Sequence, residues 1–378
     1  MEEFIEIIEG YVKEDKISGT ICGVYNGNTE LFNFSAGYQD IDSGICINEN
    51  SIFSLASLSK PLTSFAFLLL CEEKNIPLDS NVSAYIPKFS DLKILNEDGS
   101  FSKIYREINF IDLLTHTAGF SDFVYVDNSI DQMYIDLYVN VMQSNEEIYL
   151  KGFVDKILDL PLVSQPGEKW RYSISIDIIG LLIEIISGLS LDEFMSKKFF
   201  LPLKMNNTYF DLTKADPNLL CKVYFIDTQE GKLSGKSQVL PRESPKLYSG
   251  GNGIYSTFSD YRNFSKLLLN DGVFEGKRVC SENVINLFKK NYLTDKHLPY
   301  KIHSYNPIVD YGFGLGVRVK ISKGSEEKIS EYGWFNSLNS SFWINDKDKT
   351  MGLIMSNYSP PAYYNISNIF KIYCDENF

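Results

Sequence analysis

A long apolar helix that begins beside a serine is predicted between residues 57 and 75. The run Phe65–Leu70 is apolar throughout, and Asn75-Ile76-Pro77 ends it. Ser57 stands where the chain enters the first helical turn, and Lys60 follows three residues later on the same helix face. An amine beside a hydroxyl can accept its proton, and the N-terminal end of a helix stabilises developing negative charge. The segment therefore predicts a serine nucleophile at the start of a helix.

The Ser-x-x-Lys spacing alone is not specific, because it occurs at three further places in the chain. These are Ser90–Lys93, Ser100–Lys103 and Ser325–Lys328. None of them opens a long apolar helix, and the second and third follow Asp-Gly and Lys-Gly pairs that are typical of loops. The helical context therefore favours Ser57.

Composition and charge limit the possible functions. The 378 residues are 44% hydrophobic, so a sizeable core is expected. The net charge of −13 argues against binding to nucleic acid or to anionic membrane surfaces, since no basic patch would neutralise phosphates. No nucleic-acid partner and no membrane partner are expected.

The N-terminus, the cysteines and the histidines favour a cytoplasmic protein without a metal site. The first residues are acidic and amphipathic, unlike a signal peptide, and no apolar run reaches the roughly 18 residues that a membrane span requires. The six cysteines show no Cys-x-x-Cys spacing, which favours reduced packing cysteines. His116, His297 and His303 are too dispersed to predict a metal site, and no cofactor is expected.

The order of the predicted elements indicates an α+β fold. A helix at 2–14 precedes strands at Thr20–Tyr25 and Glu30–Ala36, which Asn26-Gly27-Asn28 joins as a hairpin. Helices dominate the middle of the chain, and 214–245 is a polar connecting segment. The last third predicts four strands and a closing helix at 362–375; the strands are Tyr311–Ile321, Lys328–Tyr332, Ser340–Asn345 and Met351–Asn357.

This order predicts one antiparallel sheet built from both chain ends. The sheet would be flanked by the N-terminal and C-terminal helices and would carry an inserted, mainly helical region. Residues 1–56 and 246–378 are expected to form the α/β sandwich subdomain, and 57–245 the helical subdomain. The active site is expected between them.

A serine nucleophile requires a proton acceptor, for which the sequence offers two candidates. Lys60 is the first and Tyr172 is the second. A tyrosine acts as a base only where a neighbouring cation stabilises its phenolate, and Lys60 would be that cation. The residues alone leave both candidates open.

Five ordered segments resemble one family over nearly the whole chain. The sequence is similar to the serine β-lactamase and penicillin-binding-protein superfamily on its class C side, which includes related esterases and D-amino-acid peptidases. The segments are the nucleophile motif Phe53–Thr63, the LLTHTAG segment Leu113–Gly119, the PGxxxxYS segment Pro166–Ser173, Leu201–Thr208, and the glycine cluster at Gly250–Thr257. The resemblance implies a β-lactamase/transpeptidase-like fold.

The resemblance also implies a role for each matching residue. Ser57 would be the acylated nucleophile, Lys60 its activating neighbour and Tyr172 the general base. The backbone N–H of Ser57 would form half of the oxyanion hole. His116 would be a buried structural histidine rather than a catalytic one.

The second motif departs from the family pattern. The family has Tyr-x-Asn, whereas this chain has Tyr172-Ser173-Ile174, so the amide that would contact Lys60 and the substrate is missing. Asp177 follows, as in the esterase-leaning branch, and is expected to help orient the site. Tyr138-Val139-Asn140 has the Tyr-x-Asn spacing, but no neighbouring residue fits the motif.

The third motif also departs from the family pattern. The best match to its Lys-Thr-Gly-like strand is Trp334-Phe335-Asn336, and an alternative register uses Tyr332-Gly333. Neither match supplies a cation for a substrate carboxylate. Trp334 is expected to line the substrate site, and the backbone N–H near Ser337 is expected to complete the oxyanion hole.

These departures favour a serine hydrolase that acts on esters through an acyl-enzyme at Ser57. An ester has a better leaving group than an amide and requires fewer anchoring contacts. One alternative is a β-lactamase or D-amino-acid peptidase in which another residue replaces the missing Asn. A second alternative is a non-catalytic binding protein on the same scaffold. The expected partner is a small-molecule ester, amide or β-lactam, and the oligomeric state stays open.

Overall fold

The computed structural model describes residues 1–96, 98–144, 147–238, 247–302, 307–321 and 330–378. The predicted subdomain boundary at 245/246, His303 and the Ser325–Lys328 match lie outside these ranges. The division of the chain into two subdomains therefore stays a prediction.

The strands are numbered in chain order. They are β1 (Gly19–Asn26), β2 (Thr29–Asp40), β3 (Ile45–Cys46), β4 (Ile52–Ser54), β5 (Lys93–Leu95), β6 (Phe101–Lys103), β7 (Val223–Asp227), β8 (Lys232–Gln238), β9 (Tyr255–Thr257), β10 (Val273–Phe274), β11 (Lys277–Arg278), β12 (Tyr311–Phe313), β13 (Arg318–Lys320), β14 (Glu331–Phe335), β15 (Ser341–Asn345), β16 (Thr350–Ser356) and β17 (Tyr358–Ser359).

The α-helices are numbered in the same way. They are α1 (Glu2–Lys13), α2 (Ser59–Lys74), α3 (Phe110–Leu114), α4 (Ser129–Gln143), α5 (Leu150–Ile157), α6 (Ser175–Ser187), α7 (Leu191–Met195), α8 (Phe258–Leu269), α9 (Glu282–Lys289) and α10 (Ile366–Asn377). Short 3₁₀ turns add Ala56–Leu58, Val82–Ala84, Pro87–Asp91, Leu201–Leu203, Leu212–Lys214, Pro217–Leu219 and Asp295–His297, and a π-helical turn follows α7 at Ser196–Phe200.

An eight-stranded antiparallel sheet joins the two ends of the chain. Its strand order is β12-β13-β14-β15-β16-β1-β2-β3. At its centre β1 pairs with β16, with Thr20 opposite Ser356 and Asn26 opposite Thr350. The α+β class and the sheet shared by both chain ends are therefore confirmed.

Both faces of this sheet are covered, so the central strands β1 and β16 are buried along almost their whole length. On one face Cys22 and Val24 of β1 pack with Phe4 of α1 and Phe370 of α10. On the other face Ile21 joins the main core, which also contains the apolar side chains of α2 and α6. The terminal helices thus form one layer and the inserted helices form the other.

Helix α2 lies inside the main core. Its residues are buried without interruption from Ser59 to Leu68, and it packs against α6 and α9. It ends at Asn75, whose left-handed conformation (φ 54°) is typical of a helix C-cap. The predicted end of the helix is confirmed.

Three regions differ from the sequence-based expectation. Tyr311–Ile321 is not one strand but the antiparallel pair β12 and β13, because the chain turns at Gly316 (φ 93°). The segment 214–245 is not merely connecting, since it contains the pair β7 and β8. The predicted strand Lys328–Tyr332 begins outside the described residues, and β14 extends to Phe335. Among the described residues, none of the helices combines the length and apolar character that a membrane crossing requires.

Candidate active site

Ser57 lies in the short turn Ala56–Leu58 that connects β4 to α2. β4 is held by its pairing with β9, so the turn leaves a fixed strand and enters a buried helix. Ala56 has φ 42°, a left-handed conformation that destabilises a residue with a Cβ by roughly 1–2 kcal/mol. The Ser57 side chain is partly exposed, whereas its neighbours Leu55 and Leu58 are buried. The strained turn therefore presents the serine to solvent.

Lys60 lies in the first turn of α2 and is 1% exposed. Its ammonium donates hydrogen bonds to the carbonyl oxygen of Gly251 at 3.0 Å and to Oδ1 of Asn252 at 3.4 Å. Lys60 Nζ also lies 4.6 Å from the centre of the Tyr172 ring. The cation is thus enclosed between the glycine loop and the tyrosine.

Two buried carboxyl groups interact electrostatically with Lys60. Burial raises the pKa of Asp122 to about 6, although the charge of Lys60 opposes that increase. Within the described residues, no side chain donates a hydrogen bond to either carboxyl oxygen of Asp122. Burial also raises the pKa of Asp177, against the hydrogen bonds that it accepts from Ser249 Oγ at 2.5 Å and the Gly251 N–H at 3.3 Å.

The negative groups around Lys60 decide its protonation. Burial alone would lower the pKa of Lys60, because it removes water from the ammonium group. The opposing electrostatic effects of Tyr172, Asp122 and Asp177 are larger together, so the pKa of Lys60 is raised above its usual value. The surroundings of Lys60 therefore favour its charged form.

Tyr172 is 5% exposed, and its hydroxyl has no hydrogen-bond partner among the described residues. The two chain neighbours of Tyr172, Arg171 and Ser173, fix its position. The guanidinium of Arg171 binds both carboxyl oxygens of Asp131 at 2.7 and 2.8 Å, and the Arg171 N–H donates to the carbonyl of His116 at 2.9 Å. The Ser173 N–H donates to His116 Nδ1 at 3.2 Å. The segment therefore holds a phenol that is available for chemistry.

His116 positions this segment. Since Nδ1 accepts the Ser173 N–H, the neutral ring carries its proton on Nε2. Burial, with a smaller effect of Lys60, lowers the pKa of His116 well below its usual value. Its ring lies 4.9 Å from the Tyr172 ring. The structure thus places His116, as the sequence predicted, in the buried scaffold of the site.

The end of β14 lies beside the nucleophile turn. Asn336 Nδ2 donates to the Leu55 carbonyl oxygen at 2.9 Å, and Asn336 Oδ1 accepts the N–H groups of Leu338 and Ser340. Ser337, which lies inside this turn, is exposed. Trp334 is 1% exposed and stacks 5.8 Å from the Tyr172 ring and 4.9 Å from Phe335. Trp334 therefore supports the tyrosine from behind.

The glycine cluster approaches α2 closely, as its sequence predicted. Thr63 Oγ1 donates to the carbonyl of Gly250 at 2.8 Å, and the Ile254 N–H donates to Ser59 Oγ at 3.1 Å. A Cβ on Gly250 would lie 2.9 Å from Thr63 Cγ2. Only a glycine allows the loop to bring Gly251 and Asn252 onto Lys60.

The structure thus brings Lys60, Tyr172 and Asp177 together and places the Ser337 turn at the Leu55 carbonyl, two residues before Ser57. Sequence reasoning assigned no role to Asp122, Asn252 or Asn336. Asn252 stands inside the glycine cluster that was expected to approach another part of the chain, and Asn336 stands inside the match to the third motif. Asp122 had no such signal. Ile174, where the family has Asn, is buried. Within the described residues no group of His, Cys, Asp and Glu is arranged to hold a metal ion.

Comparisons with known proteins show which family the chain resembles over most of its length. A family model described as Beta-lactamase matches residues 4–371. Protein Rv1367c of Mycobacterium tuberculosis is 28% identical over 310 residues, which cover 80% of this chain and 75% of that protein. Lovastatin esterase of Penicillium rubens is 24% identical over 376 residues, which cover 89% of this chain and 88% of the esterase.

A solved structure shows the same fold. It is EstCE1, a hydrolase with promiscuous acyltransferase activity, which matches with a TM-score of 0.79 and 18% sequence identity. The match covers 97% of this chain and 97% of EstCE1.

Proposed function

The chain belongs to the β-lactamase family, and on this basis we propose that it hydrolyses carboxylic esters through an acyl-enzyme at Ser57, as a member of the class C-like branch. It is a serine hydrolase of the superfamily that includes the penicillin-binding proteins. The observation that carries the proposal is the position of the buried Tyr172, whose ring lies 4.6 Å from the Lys60 ammonium and whose hydroxyl makes no other hydrogen bond to the part of the chain that the structure describes.

In the proposed reaction Tyr172 is the general base. A neighbouring cation favours the phenolate form of a tyrosine, and Lys60 supplies that cation. The phenolate takes the proton of the Ser57 hydroxyl while Oγ bonds to the ester carbonyl carbon. The carbon–oxygen bond to the alcohol then breaks, and the alcohol leaves with the proton from Tyr172. A water molecule, deprotonated in the same way, releases the carboxylic acid and restores Ser57.

The oxyanion is held by backbone donors. The N–H of Ser57 and the N–H at Ser337 would each donate to the carbonyl oxygen when it becomes negative. Such donors must be fixed before the reaction, and Asn336 fixes the Ser337 turn through its bonds to Leu55, Leu338 and Ser340. Asp122 and Asp177 keep Lys60 charged and in place.

The preference for esters is supported by what the site lacks. Ile174 stands where an amide would bind a peptide-like substrate, and Trp334 is buried instead of offering a cation to a carboxylate. An ester requires neither contact. The same acyl-enzyme could pass its acyl group to an alcohol in place of water, which is acyl transfer.

One observation favours a second candidate, an amide or β-lactam hydrolase. Asn252 Oδ1 lies 3.4 Å from Lys60 Nζ, and Asn252 is partly exposed. It thus supplies the lysine contact that Ile174 cannot make. Rapid hydrolysis of a chromogenic cephalosporin, with slow hydrolysis of activated esters, would favour this candidate over the esterase.

The proposal is tested by intact-mass measurement after incubation with a fluorophosphonate, followed by assays with p-nitrophenyl esters. The wild type is expected to gain one adduct and to hydrolyse the esters, and Ser57→Ala is expected to do neither. Ser90→Ala is the matched control, because Ser90 has the same Ser-x-x-Lys spacing and is exposed. An adduct on Ser57→Ala as well, or no ester turnover by the wild type, would contradict the proposal. No adduct and no turnover of either substrate class would favour the non-catalytic binding protein.

A further inference from the structure

A mainly apolar cavity of about 310 Å³ lies directly beside the nucleophile turn. Ala56, the residue before Ser57, forms part of its wall, and so does Ser337 at the predicted oxyanion site. Leu212, Leu220, Val223 and Phe225 form much of the opposite wall. We propose that this cavity holds the acyl group of the substrate ester, so that the enzyme prefers unbranched or lightly branched aliphatic acyl groups. This inference rests on the proposed function.

The wall contributed by β7 is apolar where a solvent-facing strand is usually polar. Tyr224 and Ile226 of this strand point into the core on one side. Val223 and Phe225 alternate with them and line the cavity on the other side, where Phe225 remains 37% exposed. Two of the three outward positions of β7, Val223 and Phe225, are therefore apolar and line the cavity, whereas the third, Asp227, is exposed and lies outside it. An apolar pair on the outward side is what a strand requires when that side receives an apolar ligand.

The other walls are independent of the main core. Ile52, Leu212 and Leu220 form a small hydrophobic cluster of their own, which is separate from the two clusters that cover the sheet. Leu212 and Leu220 belong to the short-turn region between α7 and β7. The cluster therefore provides apolar surface next to Ser57 without being part of the central packing.

The position of the cavity assigns it to the acyl group and not to the leaving alcohol. The alcohol must leave beside the proton donor, which is the Tyr172 and Lys60 pair. Neither of these residues lines the cavity. Ser57 does not line it either, but Ala56, the residue before Ser57, and Ser337 do. The acyl substituent stays attached to Ser57 Oγ after the alcohol has left, so its place is next to the nucleophile turn.

The volume sets the expected chain length. The cavity corresponds to roughly ten water-sized groups, which accommodates an acyl chain of up to about eight carbons. Each methylene group that is fully buried should raise kcat/KM roughly fourfold, and partial burial should give less. Beyond the length of the cavity no further rise is expected.

The experiment compares two ester series. In the first, the leaving group is p-nitrophenol and the acyl chain runs from acetate through butyrate and hexanoate to octanoate and dodecanoate. In the second, the acyl group is acetate and the leaving group is phenol with a 4-alkyl chain of increasing length. We expect kcat/KM to rise steeply along the first series, up to hexanoate or octanoate, and to change little along the second.

Variants locate the effect in the cavity. Val223→Trp fills it and is expected to lower the hexanoate-to-acetate ratio of kcat/KM at least tenfold. Phe225→Ala removes part of its wall and is expected to lower the same ratio several-fold. The matched controls are Val139→Trp and Phe101→Ala, at exposed positions of α4 and β6, which should leave the ratio unchanged. If Val223→Trp does not fold, Phe225→Ala decides the question.

The outcomes separate this inference from the proposed function. Hydrolysis of acetate without a rise along the acyl series, or a rise along the 4-alkylphenyl series only, would overturn the acyl assignment and leave the esterase intact. Equal ratios in Phe225→Ala and Phe101→Ala would also overturn it. If no ester is hydrolysed above the Ser57→Ala background, the proposed function fails and this inference fails with it.

Discussion

Substituting Asp122 by asparagine is expected to stabilise the protein at neutral pH. Asp122 is fully buried, and its pKa of about 6 lies well above the ordinary value of 3.8. Ionising it in the folded protein therefore lowers stability by about 3 kcal/mol above pH 6, at 1.36 kcal/mol for each pH unit of difference. The sign follows from proton binding, since the folded state holds this proton more tightly than the unfolded state. The destabilisation is full above the folded pKa and disappears as the pH falls towards 3.8.

Urea unfolding at pH 8 and pH 5 measures this effect. The free energy of unfolding of Asp122→Asn should exceed that of the wild type by about 3 kcal/mol at pH 8. At pH 5, where the buried acid is largely protonated, the difference should be about half of that. Asp79→Asn, at an exposed position, should have the same free energy of unfolding as the wild type at both pH values. A variant that is less stable than the wild type at pH 8 would refute the reasoning, because it would show that the ionised carboxylate stabilises the fold. Asp122→Asn should also lower kcat/KM, since Lys60 loses a negative neighbour.

Three further substitutions test other parts of the site. Tyr172→Phe should lower kcat at least about a hundredfold with little change in the unfolding midpoint, because it removes only the unpartnered hydroxyl; a tenfold loss or less in steady-state kinetics would exclude Tyr172 as the base. Asn252→Ala should lower kcat/KM by about 10-fold to 100-fold, the effect of one hydrogen bond to a charged group, and unchanged ester kinetics would show that its contact with Lys60 is dispensable. Gly250→Ala should destabilise the protein by about 1–3 kcal/mol in urea unfolding, since its Cβ would lie 2.9 Å from Thr63 Cγ2. Gly10→Ala should not destabilise it, because a Cβ on Gly10 would have no atom within 4 Å.

Features that depend on local pattern were predictable from the sequence. The helix start directly after the Ser57 turn, the helix end at Asn75 and the close approach of Gly250 each follow from residues within a few positions of one another. The shared sheet also followed, because strand-like segments at both ends of a chain must pair to satisfy their backbone hydrogen bonds.

Features that depend on long-range contacts were not predictable. Asn252 lies 192 residues from the lysine that it contacts, and no periodicity indicates such a pairing. The residues around Asp122 do not indicate that it is buried, because a single aspartate looks the same in the sequence whether it is buried or exposed. Strands β7 and β8 were missed because β8 is mostly polar and because the side chains of β7 face two different environments, the core and the cavity.

The surroundings of Lys60 support Tyr172, of the two candidate bases, as the base in the proposed mechanism. A lysine can accept the proton of Ser57 only when it is neutral, which requires a low pKa. Burial acts in that direction, but Tyr172, Asp122 and Asp177 outweigh it and raise the pKa of Lys60. A charged Lys60 cannot accept a proton, and its ammonium lies 4.6 Å from the centre of the Tyr172 ring. In the proposed mechanism the two buried acids therefore keep Lys60 charged, and Tyr172 is the group that takes the proton of Ser57.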